Sequence, residues 1–572
     1  MNWARRLAPL RYLLLVVVAV ATLWPGINRV PPFDRDESRY AEATAQMLDS
    51  KQFIDIRFQN HPRYLQPAGI YWLQAAAVSA LSTPEARQIW ANRVVSALAA
   101  VLAVLLTCRI GSTLYGPGAG LLAGVLMAVS VLLGVEARMA KIDATLLATV
   151  LAAQAALLEV WRRRDEEAPG RAAPWVFWAA NGVGLMLKGP VILLITWGTL
   201  LGLAVAERRV RWMRRLRPGP GLLLMLAIVL PWLIGILVVS HGLFFERSVG
   251  TNFLGKIAHG QQAHGAPPGT YLGLFLLTFW PGSLFAARAL PWVWANRRTP
   301  EVGFLLAWVL PAWAVFEAVV TKLPHYVLPT YPAIAILTAG ALVAPEMPAT
   351  SRVGRGLTTV YGVLWLVVGC VLGLAGPVLL VVFEHRLSLV PVLAALVAVP
   401  LVVQAWRLVG QARRLQALAL AAVASAVIAV STYSVALPEL KVIWLAPRIA
   451  AAVRTFRPCP DSVLASASFS EPSLVYLLGP QTQLIGAAAA ADFLKAKPAC
   501  NLALVDKADA AAFLARASAL GIAPKPLTVI DGINYSTGRR LALTLYDAVP
   551  PPAPPAPAPA TPTAPAAPAP AP

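Results

Sequence analysis

Apolar runs of about 20 residues recur along most of the chain, and short polar stretches that carry the charged residues separate them. A run of this length crosses the hydrocarbon core of a bilayer as a helix. The pattern predicts about thirteen membrane-spanning helices, at 11–27, 88–110, 117–135, 141–161, 174–184, 187–206, 220–240, 270–292, 302–319, 326–344, 357–383, 388–406 and 416–437. The chain is therefore predicted to be an α-helical polytopic membrane protein.

Composition and charge agree with this interpretation. The 572 residues are 58% hydrophobic and only 13% charged, with a formal net charge of +21. In a soluble protein such a charge would suggest a nucleic-acid partner. Here the basic residues form short clusters in alternate loops, which is the pattern of the positive-inside rule and predicts no nucleic-acid partner. The N-terminus is then cytoplasmic, and the loops 28–87 and 241–269 and the C-terminal region lie outside.

The first apolar run has two interpretations. Arg5, Arg6 and the run that follows resemble a signal peptide with a cleavage site near Ala19–Ala21. The run continues to Trp24 and Pro25 and leads directly into the loop, which favours an uncut anchor. Cleavage would not change the side on which the loop lies.

The composition changes after residue 437. Short apolar stretches alternate with turn residues over 438–548 and predict a small periplasmic α/β domain. From residue 549 the chain is almost only Pro and Ala, which predicts an extended, disordered tail. Cys459 and Cys500 are the two cysteines on the predicted outer side, where the compartment is oxidising, so we expect a disulfide between them.

The first outer loop concentrates acidic residues that are nearly absent from the spans. A helix that starts near Asp36 would place Asp36, Arg39 and Tyr40 on one face, with Glu37 also in its first turn, and both Asp36 and Glu37 are catalytic candidates. A solvated interfacial helix would show the same charge pattern. Residues 64–74 are apolar and aromatic, which is typical of a segment at the headgroup level. Together the two stretches suit a substrate with a polar head and a lipid tail.

Other polar residues lie near the outer ends of the predicted spans. Asp143 opens the fourth long helix there, and a carboxylate in a membrane helix is a functional candidate by default. Snorkelling to headgroups is the alternative for each basic residue. Because all of these residues lie towards one face, we expect a shared site that includes Lys188, His264, Lys322, His325 and Tyr326.

Four motifs resemble the aminoarabinose transferases. They are Asp36–Glu42, the segment from Gln66-Pro67 to Leu73, Lys188-Gly189-Pro190 and Tyr326–Pro329. That family belongs to the polyprenyl-phosphate-dependent glycosyltransferases of the GT-C type, which include the protein O-mannosyltransferases. The resemblance covers roughly residues 10–440. It implies a membrane domain of thirteen spans, which corresponds to about residues 1–437 of this chain, followed by a periplasmic α/β domain.

The resemblance also implies an activity and a set of site residues. The activity is an inverting transfer of a sugar from undecaprenyl phosphate to a periplasmic acceptor, often lipid A, in the bacterial inner membrane. Asp36 and Asp143 match the family's two essential aspartates, and Arg39 matches an arginine that holds the carrier phosphate. His264 matches a histidine near the site, and Tyr326 falls in the motif that approaches the donor.

One position departs from the family pattern. The family has Lys-Pro where this chain has Gln66-Pro67, and that lysine binds the carrier phosphate. The preceding acidic residue, a proposed metal ligand, is Leu65 here, so we expect no required metal and no cofactor. Arg39, Arg63 and Lys188 are candidates to supply the missing positive charge.

Several alternatives stay open at this stage. Asp36 is either a general base for a hydroxyl acceptor or an organiser of Arg39, because a phosphate acceptor needs no base. The acceptor is lipid A, a protein hydroxyl or another glycan. A membrane transporter is the alternative from another class, but it would place ionisable residues at mid-membrane and often show repeated halves.

Overall fold

The computed structural model describes residues 8–165, 172–248, 250, 265–348 and 351–549. The predicted membrane region is mostly helical among the described residues. Its longer helices are Ala8–Leu23, Ile89–Tyr115, Pro117–Ala128, Asp143–Arg162, Ala173–Lys188, Val191–Glu207, Pro218–Ser240, Thr270–Thr278, Gly282–Ala295, Pro300–Ala318, Tyr331–Val343, Arg352–Glu384, Leu389–Gly410 and Arg414–Ser431. Shorter helical segments are Val131–Glu136, Arg211–Leu216, Leu243–Phe245, Pro324–Thr330, Thr432–Ala436, Leu437–Glu439 and Lys441–Ile443.

Each predicted apolar run coincides with helix. Among the described residues, eight helices are long and apolar enough to cross a membrane. Other predicted runs are shorter or broken helices, such as 270–292, which is divided at Phe279–Pro281. Proline cannot continue the hydrogen-bond ladder of a helix, so the break falls next to Pro281. The chain is thus a multi-pass helical membrane protein, as predicted.

The first loop folds into two helices and a small hairpin. Its helices are Asp36–Ser50 and Gly69–Leu81, and the strands β1 (Arg57–Phe58) and β2 (His61–Pro62) pair antiparallel between them. The second helix begins at a very close approach between two segments. A Cβ atom on Gly69 would lie 2.6 Å from the carbonyl oxygen of Met186, so only glycine fits there. This contact brings the first loop against the end of the Ala173–Lys188 helix.

The C-terminal region contains a five-stranded sheet. The strands are β3 (Leu464–Ser466), β4 (Gln483–Leu484), β5 (Leu502–Asp506), β6 (Ala523–Asn534) and β7 (Arg539–Val549), in the order β4-β3-β5-β7-β6. The strand β3 runs parallel to β4 and β5, and β5 pairs antiparallel with β7. The accompanying helices are Leu445–Phe456, Pro472–Leu478, Ala487–Ala496 and Ala510–Ala519. Parallel strands joined through helices make this an α/β arrangement.

The chain divides into two compact units. The first comprises residues 1–448, 471–481 and 532–539, and the second comprises 449–470, 482–531 and 540–572. Cys459 and Cys500 form a disulfide within the second unit, with their Cα atoms 5.4 Å apart. Two short C-terminal segments therefore group with the first loop and the membrane helices, which the predicted boundary at residue 438 did not anticipate. The predicted Pro/Ala tail, 550–572, lies outside the described residues.

Candidate active site

Asp36 is the first residue of the first-loop helix and remains half-exposed. Its carboxylate Oδ1 lies 3.9 Å from Arg39 and 4.0 Å from Arg63. The Arg63 guanidinium is buried, donates to the Tyr71 hydroxyl at 3.0 Å, and lies over the Tyr40 ring. The structure thus brings together the acid and the two arginines that the sequence singled out.

The other two acidic residues of the Asp36–Glu42 motif turn inward. Glu37 is fully buried, and both of its carboxylate oxygens accept hydrogen bonds from Arg93, at 2.7 and 2.8 Å. The same oxygens also accept from the backbone N–H groups of Phe33 and Ala140. Glu42 is also fully buried and is paired with Arg87. Burial raises the pKa of Glu42 to about 8, although Arg87 opposes this shift. These contacts connect the loop to its surroundings and leave Asp36 as the motif's half-exposed carboxylate.

Asp143 belongs to a buried cluster of opposite charges. Its carboxylate accepts from the ammonium of Lys188 and lies 3.5 Å from that of Lys141. Lys141 also donates to both oxygens of Glu136 at 3.1 Å. The imidazole of His325 lies 3.7 Å from Glu136 and 3.8 Å from Asp143. Two carboxylates and two ammonium groups therefore balance one another within one hydrogen-bonded group.

The same cluster contains a candidate set of metal ligands. Glu136, Asp143 and His325 each offer one ligand atom, and these atoms all lie within 4.8 Å of one another. Both carboxylates, however, already have an ammonium partner in Lys141 or Lys188. A divalent cation would have to compete with these fixed charges, so the donor set fits a metal poorly. The expectation that no metal is required stays a prediction.

A cavity of about 720 Å³ opens beside this cluster. Its polar end is lined by Gln66, Asp143, Lys188, His325 and Tyr326. The Gln66 side chain accepts a hydrogen bond from Tyr40, and the Lys188 ammonium lies 5.3 Å from the centre of the Tyr326 ring. The rest of the wall is apolar and includes Leu185, Leu193, Leu194, Trp197, Val229, Leu233, Phe244, Phe245, Val315 and Phe316. A cavity with this lining suits a ligand with an anionic head and a long apolar chain.

The predicted site residue Lys322 lies away from the cavity. The Lys322 ammonium donates to the backbone carbonyls of Glu317 and Val319, at the end of the Pro300–Ala318 helix. Cations at a helix C-terminus satisfy its unpaired carbonyls, so these contacts account for Lys322 without a substrate. Lys322 also does not appear among the described residues that line the cavity. His264 lies outside the described residues.

Some residues of the site were missed by sequence reasoning. Glu136 and Lys141 join the expected His325 in the Asp143 cluster, and Arg93 holds Glu37. Glu136 and Lys141 flank Asp143 in the chain, so a carboxylate and an ammonium beside a predicted span end were an available signal. Arg93 had a weaker signal, because an arginine near the end of a predicted span is usually explained by snorkelling.

Comparison with solved structures defines the class of fold. The chain matches ArnT from Cupriavidus metallidurans bound to undecaprenyl phosphate with a TM-score of 0.72. The match covers 93% of this chain and 97% of that chain at 19% sequence identity. The archaeal oligosaccharyltransferase AglB from Archaeoglobus fulgidus matches with a TM-score of 0.52 over 88% of this chain and 69% of that chain, at 13% identity. The chain therefore has the GT-C membrane fold, as the sequence predicted.

Sequence comparison gives more particular relatives. Residues 65–234 match the family model described as dolichyl-phosphate-mannose-protein mannosyltransferase. An undecaprenyl phosphate-alpha-4-amino-4-deoxy-L-arabinose arabinosyl transferase 1 of Pseudomonas fluorescens is 28% identical over 67% of this chain and 66% of its own length. A second transferase of this name and species, from another strain, is 30% identical over 54% of this chain and 55% of its own length. The matched regions span less than two thirds of the length of these relatives. The predicted resemblance to the aminoarabinose transferases is confirmed.

Proposed function

We propose that the chain is an inverting glycosyltransferase that moves a sugar from undecaprenyl phosphate to a periplasmic acceptor. The observation that carries this proposal is the cavity beside Asp143. Its polar end holds Lys188, and its apolar wall extends along several membrane helices. A polyprenyl phosphate has matching chemistry, because its phosphate is anionic and its chain is a long hydrocarbon.

The charges at the polar end suit the departure of a phosphate. In an inverting transfer, the acceptor oxygen bonds to the anomeric carbon while the bond from that carbon to the carrier phosphate breaks. The phosphate keeps the electron pair and gains negative charge. A fixed cation in a site sheltered from water stabilises this charge most strongly in the transition state. Lys188 lines the cavity, and Asp143 orients its ammonium group.

In this proposal, the neutral amide of Gln66 stands where the family has a lysine that binds the carrier phosphate. Its carboxamide lines the cavity and its oxygen is engaged by Tyr40. Lys188 supplies positive charge at the same end of the cavity. Arg63 does not line the cavity itself and lies over the ring of Tyr40, which is bonded to Gln66. The donor phosphate therefore depends on Lys188 more than on residue 66.

Asp36 faces the acceptor in this account. Its half-exposed carboxylate would accept the proton of a hydroxyl acceptor, or hold Arg39 towards an anionic one. Glu37 has a supporting role instead, because Arg93 and two backbone N–H groups occupy its oxygens. A buried carboxylate with these partners positions the Asp36 turn and is not available for proton transfer.

We further propose 4-amino-4-deoxy-L-arabinose as the sugar and lipid A as the acceptor. The names of the relatives support the sugar and the carrier. A protein hydroxyl is the second candidate acceptor, which the match of residues 65–234 to the protein mannosyltransferase model favours. Another glycan is the remaining alternative. A transporter is disfavoured, because the carboxylate of Asp143 is already paired with the ammonium groups of Lys141 and Lys188.

The proposed topology follows the positive-inside pattern. The N-terminus lies in the cytoplasm of a bacterium, the chain crosses the inner membrane repeatedly over 1–437, and the first loop faces the periplasm. The C-terminal region from residue 438 is also placed in the periplasm, with the Pro/Ala-rich tail from 549 as a proposed spacer. The active site and the C-terminus are then on the periplasmic side, where lipid A is accessible.

Mass spectrometry of lipid A from cells with and without the protein tests this proposal. We expect aminoarabinose on lipid A only in cells that express the wild-type chain. The Asp36→Asn and Asp143→Asn variants should insert normally and lose the modification. Asp492→Asn is the matched control, because Asp492 forms an exposed ion pair with Arg516 in the second unit. An unchanged lipid A profile would favour a protein or glycan acceptor, and full modification by Asp143→Asn would contradict the site assignment.

A further inference from the structure

The turn that precedes Asp36 is strained. Arg35 has φ 65° and ψ −113°, a conformation that a residue with a side chain rarely adopts. Such a conformation is unfavourable in itself and persists only where surrounding contacts hold it. Asp36 follows directly and begins the helix. The direction of the Asp36 side chain therefore depends on whatever keeps Arg35 in this conformation.

Two C-terminal segments supply the contacts on the N-terminal side of Arg35. We call residues 471–481 and 532–539 the returning segments, since they group with the first loop in one compact unit. The Ser473 hydroxyl donates to the carboxylate of Asp34. The Tyr535 hydroxyl accepts from the backbone N–H of Asp34 at 2.6 Å. Both the side chain and the main chain of Asp34 are thereby fixed.

Arg35 itself is also held by a returning segment. Its guanidinium donates to the carbonyl oxygen of Ser536 at 2.8 Å. The ring of Trp444 packs edge-on against Phe33, with ring centres 5.4 Å apart, and against Tyr535, with ring centres 5.8 Å apart. Trp444 therefore links Phe33, in the turn, to Tyr535, in the segment 532–539.

The returning segments are connected to each other as well. The Asn534 side chain donates to the carboxylate of Glu471 at 3.0 Å, and both residues are buried. A turn held by two segments that are bonded together has fewer alternative conformations than a turn held by either one. This matters because the strained turn and the Asp36 carboxylate are adjacent in the chain.

We propose, on the basis of the transferase function above, that Ser473 and Tyr535 are positioning residues that hold the Phe33–Asp36 turn and thereby aim the Asp36 carboxylate. Neither residue lines the cavity described beside Asp143. They act through Asp34 and Arg35 on the orientation of the Asp36 carboxylate, which faces the acceptor. Loss of their hydroxyl groups should slow the transfer step and leave binding of the lipid-linked donor unchanged.

The test uses purified full-length protein in proteoliposomes with an undecaprenyl-phosphate-linked donor. Ser473→Ala and Tyr535→Phe each remove one hydroxyl group and keep the rest of the packing. A displacement of about 1 Å at a reacting group costs up to roughly 100-fold in rate, so we expect kcat to fall at least about tenfold. The KM for the donor should change less than about twofold, because its cavity is untouched.

Matched controls separate positioning from general damage. Ser536→Ala makes the same change on a returning segment but keeps the backbone carbonyl that binds Arg35. Tyr476→Phe removes a hydroxyl from the other returning segment and keeps the ring, which packs against Ala41, Ile89 and Ala140. Both controls should retain wild-type kcat. Hydrogen exchange gives a second readout, since the amide of Asp34 should exchange faster in Tyr535→Phe and not in the controls.

The outcomes distinguish this inference from the proposed function. If the wild-type protein transfers no sugar from the lipid-linked donor, the transferase proposal fails, and hydrogen exchange at Asp34 still tests the contact. If the wild type is active and both variants keep wild-type kcat, positioning by Ser473 and Tyr535 is overturned. A fall in kcat that the two control variants share would also overturn it, because general destabilisation would then explain the loss.

Discussion

At the scale of residues, burial sorts the carboxylates of the first loop into different roles. Glu37 and Glu42 are buried against Arg93 and Arg87, where breaking either pair would leave an uncompensated charge. Asp36 keeps about half of its side-chain surface exposed, so it is the carboxylate of the motif that a substrate can reach. The sequence makes both Asp36 and Glu37 catalytic candidates, and the packing separates their roles.

The pH dependence of stability should report the contacts of Asp34. Burial, with a smaller effect from Glu471, raises the pKa of Asp34 from 3.8 to about 6, although Ser473 and Tyr535 oppose the shift. The folded state therefore binds this proton more tightly than the unfolded state does. Compared with the Asp34→Asn variant, the wild type should lose stability as the pH rises from about 4 to 6 and then level off.

Thermal unfolding in detergent micelles at several pH values measures this difference. The melting temperature of the wild type minus that of Asp34→Asn should fall between about pH 4 and 6 and stay constant above it. In wild type the Asp492 carboxylate is exposed, so the Asp492→Asn variant controls for the general effect of pH on the micelle. A difference that rises with pH would mean that Asp34 is held in its ionised form.

At the scale of elements, the predicted apolar runs locate the helices, because hydrophobic length is written directly in the sequence. The run at 117–135, however, is two helices, Pro117–Ala128 and Val131–Glu136, and Glu136 at the end of the second reaches His325. Length alone cannot reveal such a break, since the residues stay apolar across it. The contact between Arg93 and Glu37 was also hidden, because it joins residues from different elements whose packing the sequence does not specify.

Adding a single Cβ atom at Gly69, where the first loop meets the membrane helices, should lower both stability and activity. Gly69→Ala would place a Cβ atom 2.6 Å from the carbonyl oxygen of Met186, so the Gly69–Leu81 helix must move away from the Lys188-bearing helix. Overpacking of this kind costs about 1–3 kcal/mol. We expect a lower melting temperature together with reduced transfer, because Gln66 and Lys188 line the same cavity from these two sides.

Gly118→Ala is the matched control for this junction. Gly118 lies in the Pro117–Ala128 helix, and a Cβ atom there would meet nothing within 4 Å. Alanine is favoured over glycine inside a helix by about 1 kcal/mol, so the control should be neutral or slightly stabilised. Equal stability and activity of Gly69→Ala and the wild type would show that the two helices separate without cost.

At the scale of the whole molecule, charge is distributed in two patterns with different purposes. The arginine clusters lie in alternate predicted loops, a pattern that the sequence shows directly because it depends only on the number and position of basic residues. The cluster around Asp143 depends on three-dimensional proximity, and the sequence indicated Asp143, Lys188 and His325 but neither Glu136 nor Lys141. The returning segments were not predicted at all, since they come from the region beyond the membrane spans and contain no catalytic motif.

The central claim is that Lys188, at the polar end of the apolar cavity, stabilises the phosphate that leaves from a lipid-linked sugar. The most direct measurement is sugar transfer from the undecaprenyl-phosphate-linked donor by purified protein in proteoliposomes, with wild type and Lys188→Met compared at saturating donor. We expect transfer by the wild type and a rate at least about 100-fold lower for the variant, the loss typical of one removed charge-stabilising group. No transfer by the wild type, or an unchanged rate for Lys188→Met, would contradict the account.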